Sequence, residues 1–139
     1  MFVQGLGASS INQIVCSSRI STSGKIYKIN PSSDTEVFTD DGSSYSMVIR
    51  TSKIDLGVDT IKFIDSLTWV GDNSTGSVTV EYCDDDYNTW ITAGTIDLSE
   101  TVKKLYRLGS HTGGRSYRFT HSSNAAVRAQ AIEISYRTK

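Results

Sequence analysis

The chain has 139 residues, of which 37% are hydrophobic and 21% are charged. These values are ordinary for one globular domain and argue against bulk disorder. No apolar run approaches the ~18 residues that a transmembrane helix needs. Two cysteines and two histidines are too few for a disulfide framework and leave little for histidine-based catalysis. We therefore expect a non-enzymatic domain with no cofactor, no metal and no membrane segment, in which Cys16 and Cys83 are free thiols.

The first part of the chain is the less regular one. Residues 11–20 and 25–29 have the pattern of short strands, and a short strand over 36–39 ends in the turn Asp40-Asp41-Gly42. We predict that residues 1–49 are an N-terminal extension or outer strands. Residues 50–139 are predicted to form the main domain, with one continuous domain over 1–139 as the alternative.

The middle of the chain alternates between apolar and polar residues. Phe63, Leu67 and Trp69 share one parity, but Asp65 falls on the same parity, which predicts a β-bulge or an edge at that position. A second alternating segment over 77–82 is followed by the acidic turn 84–88. Both segments are typical of half-buried β-strands.

The last third repeats this pattern. A strand is predicted over 104–108 and a glycine-rich turn over 109–114, after which Tyr117 and Phe119 alternate with polar residues. The final strand, over 127–136, changes parity near residues 129–131, which indicates another bulge. The spacing predicts an all-β fold of roughly nine or ten short strands, arranged as an antiparallel sandwich or barrel, and of these we expect a jelly-roll-like antiparallel β-sandwich. Its predicted core includes Phe63, Leu67, Trp69, Val78, Val80, Tyr117, Phe119 and Ile134.

Charge is distributed unevenly along the chain. Residues 61–100 carry eight acids and one base, a net charge of −7, whereas residues 101–139 carry one acid and eight bases, a net charge of +7. The two segments can neutralise each other as neighbouring strands. The basic segment could instead meet an acidic partner or phosphate. We expect pairing within the fold or between subunits, and no specific nucleic-acid binding.

Candidate binding residues fall into two groups. Tyr87 and Trp90 follow the acidic turn and could stack on a sugar ring, together with Tyr82. The basic candidates are Lys103, Lys104, Arg107, Arg115 and Arg118. The run Asp84-Asp85-Asp86 could attract Ca²⁺, but its contiguous spacing is not that of a calcium loop, so a solvated turn is the simpler interpretation.

Several short motifs resemble those of one family of viral proteins. They are Lys-Ile-Asp-Leu-Gly at 53–57, the strand, acidic turn and tryptophan at 77–90, Leu-Tyr-Arg-Leu-Gly-Ser at 105–110 and Gly-Arg-Ser-Tyr-Arg-Phe-Thr at 114–120. In this order they resemble the C-terminal β-sandwich of the packaged-DNA stabilisation (tail hub) proteins of short-tailed phages. Gly-Lys-Ile-Tyr-Lys-Ile-Asn at 24–30 and Thr-Asp-Asp-Gly at 39–42 resemble the segment before that domain. Hub proteins have several hundred residues, so this chain would be a small relative or a piece of one.

The resemblance implies a virion structural protein of a phage tail or neck. Such a protein would act as a hub, plug, adaptor or decoration unit in virion assembly and DNA retention. Its partners would be other tail or neck proteins and copies of itself in the particle, after synthesis in the host cytoplasm. The alternative is a glycan- or surface-binding β-sandwich module, for which an exposed shelf of Tyr82, Tyr87 and Trp90 would be the sign. A hydrolase is a third class, disfavoured because no catalytic set is recognisable.

Overall fold

The computed structural model describes residues 2–6, 12–17, 26–28, 39–40, 43–44 and 46–139. Within these residues the regular structure is entirely β-strand, and no helix is present that could cross a membrane. Thirteen strands are described, five of which have only two or three residues. In chain order they are β1 (Phe2–Leu6), β2 (Asn12–Ser17), β3 (Ile26–Lys28), β4 (Thr39–Asp40), β5 (Ser43–Ser44), β6 (Met47–Arg50), β7 (Lys62–Gly71), β8 (Ser77–Cys83), β9 (Ile91–Asp97), β10 (Lys104–Tyr106), β11 (Ser110–His111), β12 (Ser116–His121) and β13 (Ala129–Thr138).

The chain divides into two compact units, Met1–Val37 and Phe38–Lys139. In the first unit, β1, β2 and β3 form an antiparallel sheet in that order. Two of these strands lie inside the segments predicted over 11–20 and 25–29. In the second unit β6 pairs with β12, so residues 47–50 belong to the same unit as the strands that follow them.

The second unit contains two four-stranded antiparallel sheets and the small hairpin β4–β5. One sheet has the order β6-β12-β8-β9. The other is centred on β7, because Leu67 pairs with Leu105 of β10 on one side and with Ile134 of β13 on the other. β11 lies on the same side of β7 as β10 and pairs with the beginning of β7. The segment 109–114, predicted as a turn, therefore contains a short strand. The antiparallel all-β class predicted from the sequence is therefore confirmed.

Side chains from both sheets meet in one buried hydrophobic cluster. Trp69 of β7 and Phe119 of β12 have ring centroids 5.8 Å apart, and Tyr117 lies 6.4 Å from Phe119 on the same strand. Of the eight predicted core residues, six are buried, namely Leu67, Trp69, Val78, Val80, Tyr117 and Phe119. Ile134 is half-buried against the cluster.

Phe63 does not belong to the core as predicted, and the reason is the bulge at Asp65. Ser66 pairs with Ser135 and Ile64 pairs with the next residue, Tyr136, so Asp65 is the extra residue on β7. The bulge confirmed at Asp65 reverses the parity of everything before it. Ile64 is therefore buried, and Phe63 is half-buried on the opposite face of β7.

The second predicted bulge is also present. Ala129 pairs with Gly71 and Ala131 pairs with Val70, which leaves Gln130 as the extra residue on β13. The parity change that was visible in the sequence near residues 129–131 is thus a register shift against β7.

Candidate functional site

Four ion pairs connect the basic last third of the chain to its acidic middle. Each joins an arginine of residues 101–139 to a carboxylate of residues 61–100: Arg115 to Asp84, Arg118 to Glu81, Arg128 to Asp72 and Arg137 to Asp65. The predicted pairing of the +7 and −7 segments is therefore confirmed within one chain. Of the candidate basic residues, Arg115 and Arg118 take part in these pairs.

Arg115 is a buried residue and not part of a basic surface. Its side chain is 2% exposed, and its Nε and one Nη donate to the two carboxylate oxygens of Asp84, both at 2.7 Å. The other Nη donates to the carbonyl oxygen of Leu108 at 2.6 Å, and the guanidinium lies 4.0 Å from the ring centroid of Tyr82. Burial lowers the pKa of Arg115, but the hydrogen bonds and the charge of Asp84 outweigh it and the pKa is raised. Arg115 thus stays charged, and its side chain connects the acidic turn at Asp84 to the backbone at Leu108.

Arg118 lies on β12, three residues after Arg115, and forms the centre of a cluster that is half-buried except for Arg50. Two of its nitrogens donate to the two carboxylate oxygens of Glu81, which faces it on β8. Its guanidinium lies 4.5 Å from the ring centroid of Trp90, and that of Arg50 lies 5.8 Å from the same ring. The hydrogen bond to Arg118 lowers the pKa of Glu81. We call Arg50, Glu81, Trp90 and Arg118 the arginine–tryptophan cluster.

The three aromatic residues that could have formed a sugar-stacking shelf do not do so. Tyr87 is 46% exposed and its ring centroid is 6.1 Å from that of Trp90, but the two planes are tilted by 44°. Trp90 is half-buried beside Arg118, and Tyr82 is half-buried beside Arg115. Stacking on a sugar needs a free aromatic face, so this arrangement gives no support to a glycan site built on all three rings.

The remaining candidate basic residues lie apart from this cluster. Lys103 is 5% exposed and its Nζ donates to the side-chain oxygen of Asn73. Lys104 is half-buried on β10, with its Nζ 5.4 Å from the ring centroid of Tyr106. Arg107 is exposed and has a positive φ of 59° between β10 and β11. Four of the seven candidates therefore lie apart from this cluster, and only Tyr87, Trp90 and Arg118 come together with Arg50.

The acidic turn uses its three aspartates for separate structural purposes. Asp84 binds Arg115, Asp86 binds Lys53 at 2.8 Å, and Asp85 accepts hydrogen bonds from the Cys83 thiol at 2.9 Å and from the Thr89 amide at 2.7 Å. The bond from Cys83, followed by those from Thr89, lowers the pKa of Asp85 to about 2. Within the described residues no cluster of metal-ligating side chains is present. The turn is thus built by internal pairing, and Cys83 is a buried free thiol, as predicted; the Cys16 side chain lies outside the described part.

A second group of buried polar residues lies at the start of β7 and was not predicted. Lys62 is 0% exposed and its Nζ donates to the carbonyl oxygens of Thr60 and Gly113, at 3.3 and 3.1 Å. His111, which pairs with Lys62 across the sheet, has its Nδ1 3.1 Å from the Gly113 carbonyl, so Nδ1 carries the proton. Burial, and secondly the charge of Arg115, lower the pKa of His111.

The burial of Arg115 had one signal in the sequence. Arg115 shares the parity of the buried residues Tyr117 and Phe119, but its charge suggested a position on the surface.

An open pocket lies next to Gly113, the residue whose carbonyl oxygen is bound by Lys62 and His111. It has a volume of about 490 Å³ and is open to solvent, and it is lined by Lys53, Asp55, Gly57, Val58, Asp59, Gly113 and Gly114. Asp55 is already used in its own turn, where it accepts a hydrogen bond from the Gly57 amide at 2.9 Å. The lining combines one lysine with two carboxylates and shows no arrangement specific to one ligand.

Comparison with models of protein families, with curated proteins and with solved structures gave no match to this chain.

Proposed function

We propose that this protein is a non-enzymatic structural protein of a phage tail or neck, with a role in virion assembly and DNA retention. We also propose that its two larger sheets pack face to face as a β-sandwich. The single buried cluster to which both sheets contribute, with Trp69 against Phe119, supports this packing.

The observation that carries the functional proposal is the position of Arg115. Its backbone N–H and C=O are hydrogen-bonded to those of Ile54, both at 3.0 Å, which joins the motifs at 114–120 and 53–57. Its guanidinium binds Asp84 in the motif at 77–90 and the carbonyl oxygen of Leu108 in the motif at 105–110. Arg115, through its backbone and its buried side chain together, therefore connects all four segments that resemble the C-terminal β-sandwich of the tail hub family. This supports a shared structural unit more strongly than four separate short matches do.

The use of ionisable groups also favours a structural role. The carboxylates of the acidic turn, and Glu81 beside it, each bind a side chain or backbone group of the same chain. Such pairing fixes the geometry of strands and turns, as a rigid assembly unit requires, and it leaves these groups without a chemical task.

The test is to locate the protein in particles. Phage particles from the source of this sequence would be purified by density gradient and analysed by mass spectrometry, and an antibody to residues 38–139 would be used for electron microscopy. We expect a fixed number of copies per particle and labelling at the tail or neck. A protein that remains free in the lysate and is absent from purified particles would contradict the proposal.

A further inference from the structure

We infer that β13 is a self-association edge, at which two copies of this chain pair antiparallel around a two-fold axis. This inference does not rest on the proposed function. Within the part of the chain that the structure describes, β13 pairs with β7 alone, so its other side is a sheet edge. In an edge strand every second residue directs its backbone N–H and C=O groups away from the sheet, where another strand can bind them.

β13 is the longest of the edge strands in the two larger sheets. It has ten residues, about 34 Å of extended chain, whereas β9 has seven, β6 has four, and β10 and β11 have three and two. Edges of this length are usually protected by proline, by charged side chains or by β-bulges. β13 has no proline and no lysine, its bulge lies at Gln130 near its beginning, and its two charges have opposite signs, so the segment from Ala131 to Thr138 is open to another strand.

The two charges of β13 have opposite signs and match each other in one self-pairing. If Ser135 lies opposite Ser135 of a second copy, Glu133 of each copy lies opposite Arg137 of the other, and Ile134 lies opposite Tyr136. Glu133, Ser135 and Arg137 are all exposed, and Tyr136 is 38% exposed. The register therefore forms two ion pairs on one face and two apolar pairs on the other. A register centred on Glu133 would instead place like charges together.

The ion pair of Arg137 with Asp65 in the same chain does not prevent this pairing between copies. The Nε of Arg137 lies 3.1 Å from Asp65, but the two side chains are 72% and 45% exposed, so the pair is only weakly held. Arg137 can therefore bind Glu133 of a second copy while it remains close to Asp65. The pairing is isologous and closes with two copies, so it predicts a dimer and not a filament at this edge.

Charge reversal in the full chain provides a self-consistent test. Sedimentation velocity over a range of concentrations would be measured for Glu133→Arg, for Arg137→Glu, for the double variant and for an equal mixture of the two single variants. We expect each single reversal to raise the dimer dissociation constant about tenfold or more, since two attractive pairs become repulsive. The double variant restores dimerisation, and so does the mixture, in which one copy of each kind pairs. Glu100→Arg and Asp65→Asn are the controls for an exposed charge and for the loss of the internal pair, and neither changes dimerisation.

A cysteine at the two-fold axis tests the register itself. Ser135→Cys should form an intermolecular disulfide under mild oxidation, with the unmodified chain as the control for Cys16 and Cys83, and Ser99→Cys as the control for an exposed cysteine elsewhere. A chain that is monomeric at all concentrations and whose Ser135→Cys variant does not cross-link would overturn the inference. Dimers or larger assemblies that are insensitive to both single charge reversals would overturn it too, because they would use another surface.

Discussion

Asp84 and Asp86 lie two positions apart in one turn, but they form ion pairs in very different surroundings. Asp84 binds the guanidinium of Arg115, which is buried, whereas Asp86 binds Lys53 with side chains that are 75% and 44% exposed. A buried charge that loses its partner is costly, while an exposed pair contributes little. The same aspartate-to-asparagine change should therefore have unequal effects at these two positions.

We predict that Asp84→Asn lowers the free energy of unfolding by about 2–3 kcal/mol, because Arg115 would keep its charge in the interior without a carboxylate, although the Asp84 side chain itself is 38% exposed. Asp86→Asn is the matched control and should change it by less than about 1 kcal/mol. Urea unfolding at neutral pH measures both. Equal effects of the two substitutions would show that the Arg115 pair is not a structural centre.

His111 makes stability depend on pH. Burial first, and then the charge of Arg115, hold the pKa of His111 below its ordinary value of 6.5. The unfolded chain therefore binds more protons than the folded chain as the pH falls through 6.5, so the free energy of unfolding decreases on acidification. Asp85, with its pKa lowered to about 2, loses its contribution only at lower pH, between 3.8 and about 2.

We predict that His111→Asn, which keeps a donor for the Gly113 carbonyl but does not titrate, flattens this dependence between about pH 7 and pH 5. Urea midpoints of both proteins across this range provide the measurement. An unchanged slope in the variant would mean that His111 does not titrate differently in the folded and unfolded chains.

At the scale of elements, the strands differ in the number of neighbours that protect them. β7, β8 and β12 each lie between neighbours on both sides, whereas β6 lies at an edge and has mostly exposed side chains. We predict by hydrogen exchange that amides of β7, β8 and β12 exchange slowest among the strands of these two sheets and that those of β6 exchange faster than those of its neighbour β12. Protection of β6 equal to that of β12 would require a covering surface that this arrangement lacks.

The sequence predicted those elements whose alternation was regular. Val78 and Val80, and later Tyr117 and Phe119, were placed correctly because period-two alternation reports the two faces of a strand directly. Phe63 was misplaced because a bulge reverses parity, although Asp65 marked its position.

The buried polar residues were harder to predict, since burial of a charge depends on a partner from elsewhere in the chain. Arg115 finds Asp84, and Lys62 finds the carbonyl oxygens of Thr60 and Gly113. Neither contact follows from local sequence. The contact of Arg50 with Trp90 was missed for the same reason. Arg50 comes near this ring because β6 pairs with β12, and that pairing of distant segments is not visible in the local sequence.

At the scale of the whole molecule, the central feature is the cancellation of charge between distant segments. Every arginine in the four cross-segment ion pairs comes from the basic last third, and every carboxylate comes from the acidic middle. Four of the eight bases of this segment are held in these pairs, which leaves fewer free cations to bind phosphates without sequence preference. A protein at a phage neck would benefit, because DNA must pass it without adhering.

Titration of the full chain with a fluorescent DNA duplex at a series of salt concentrations tests this cancellation most directly. We predict no measurable change in anisotropy near physiological ionic strength, about 0.15 M. Micromolar binding that falls steeply with salt, and that is lost when Arg107 and Arg118 are replaced by glutamine, would contradict it.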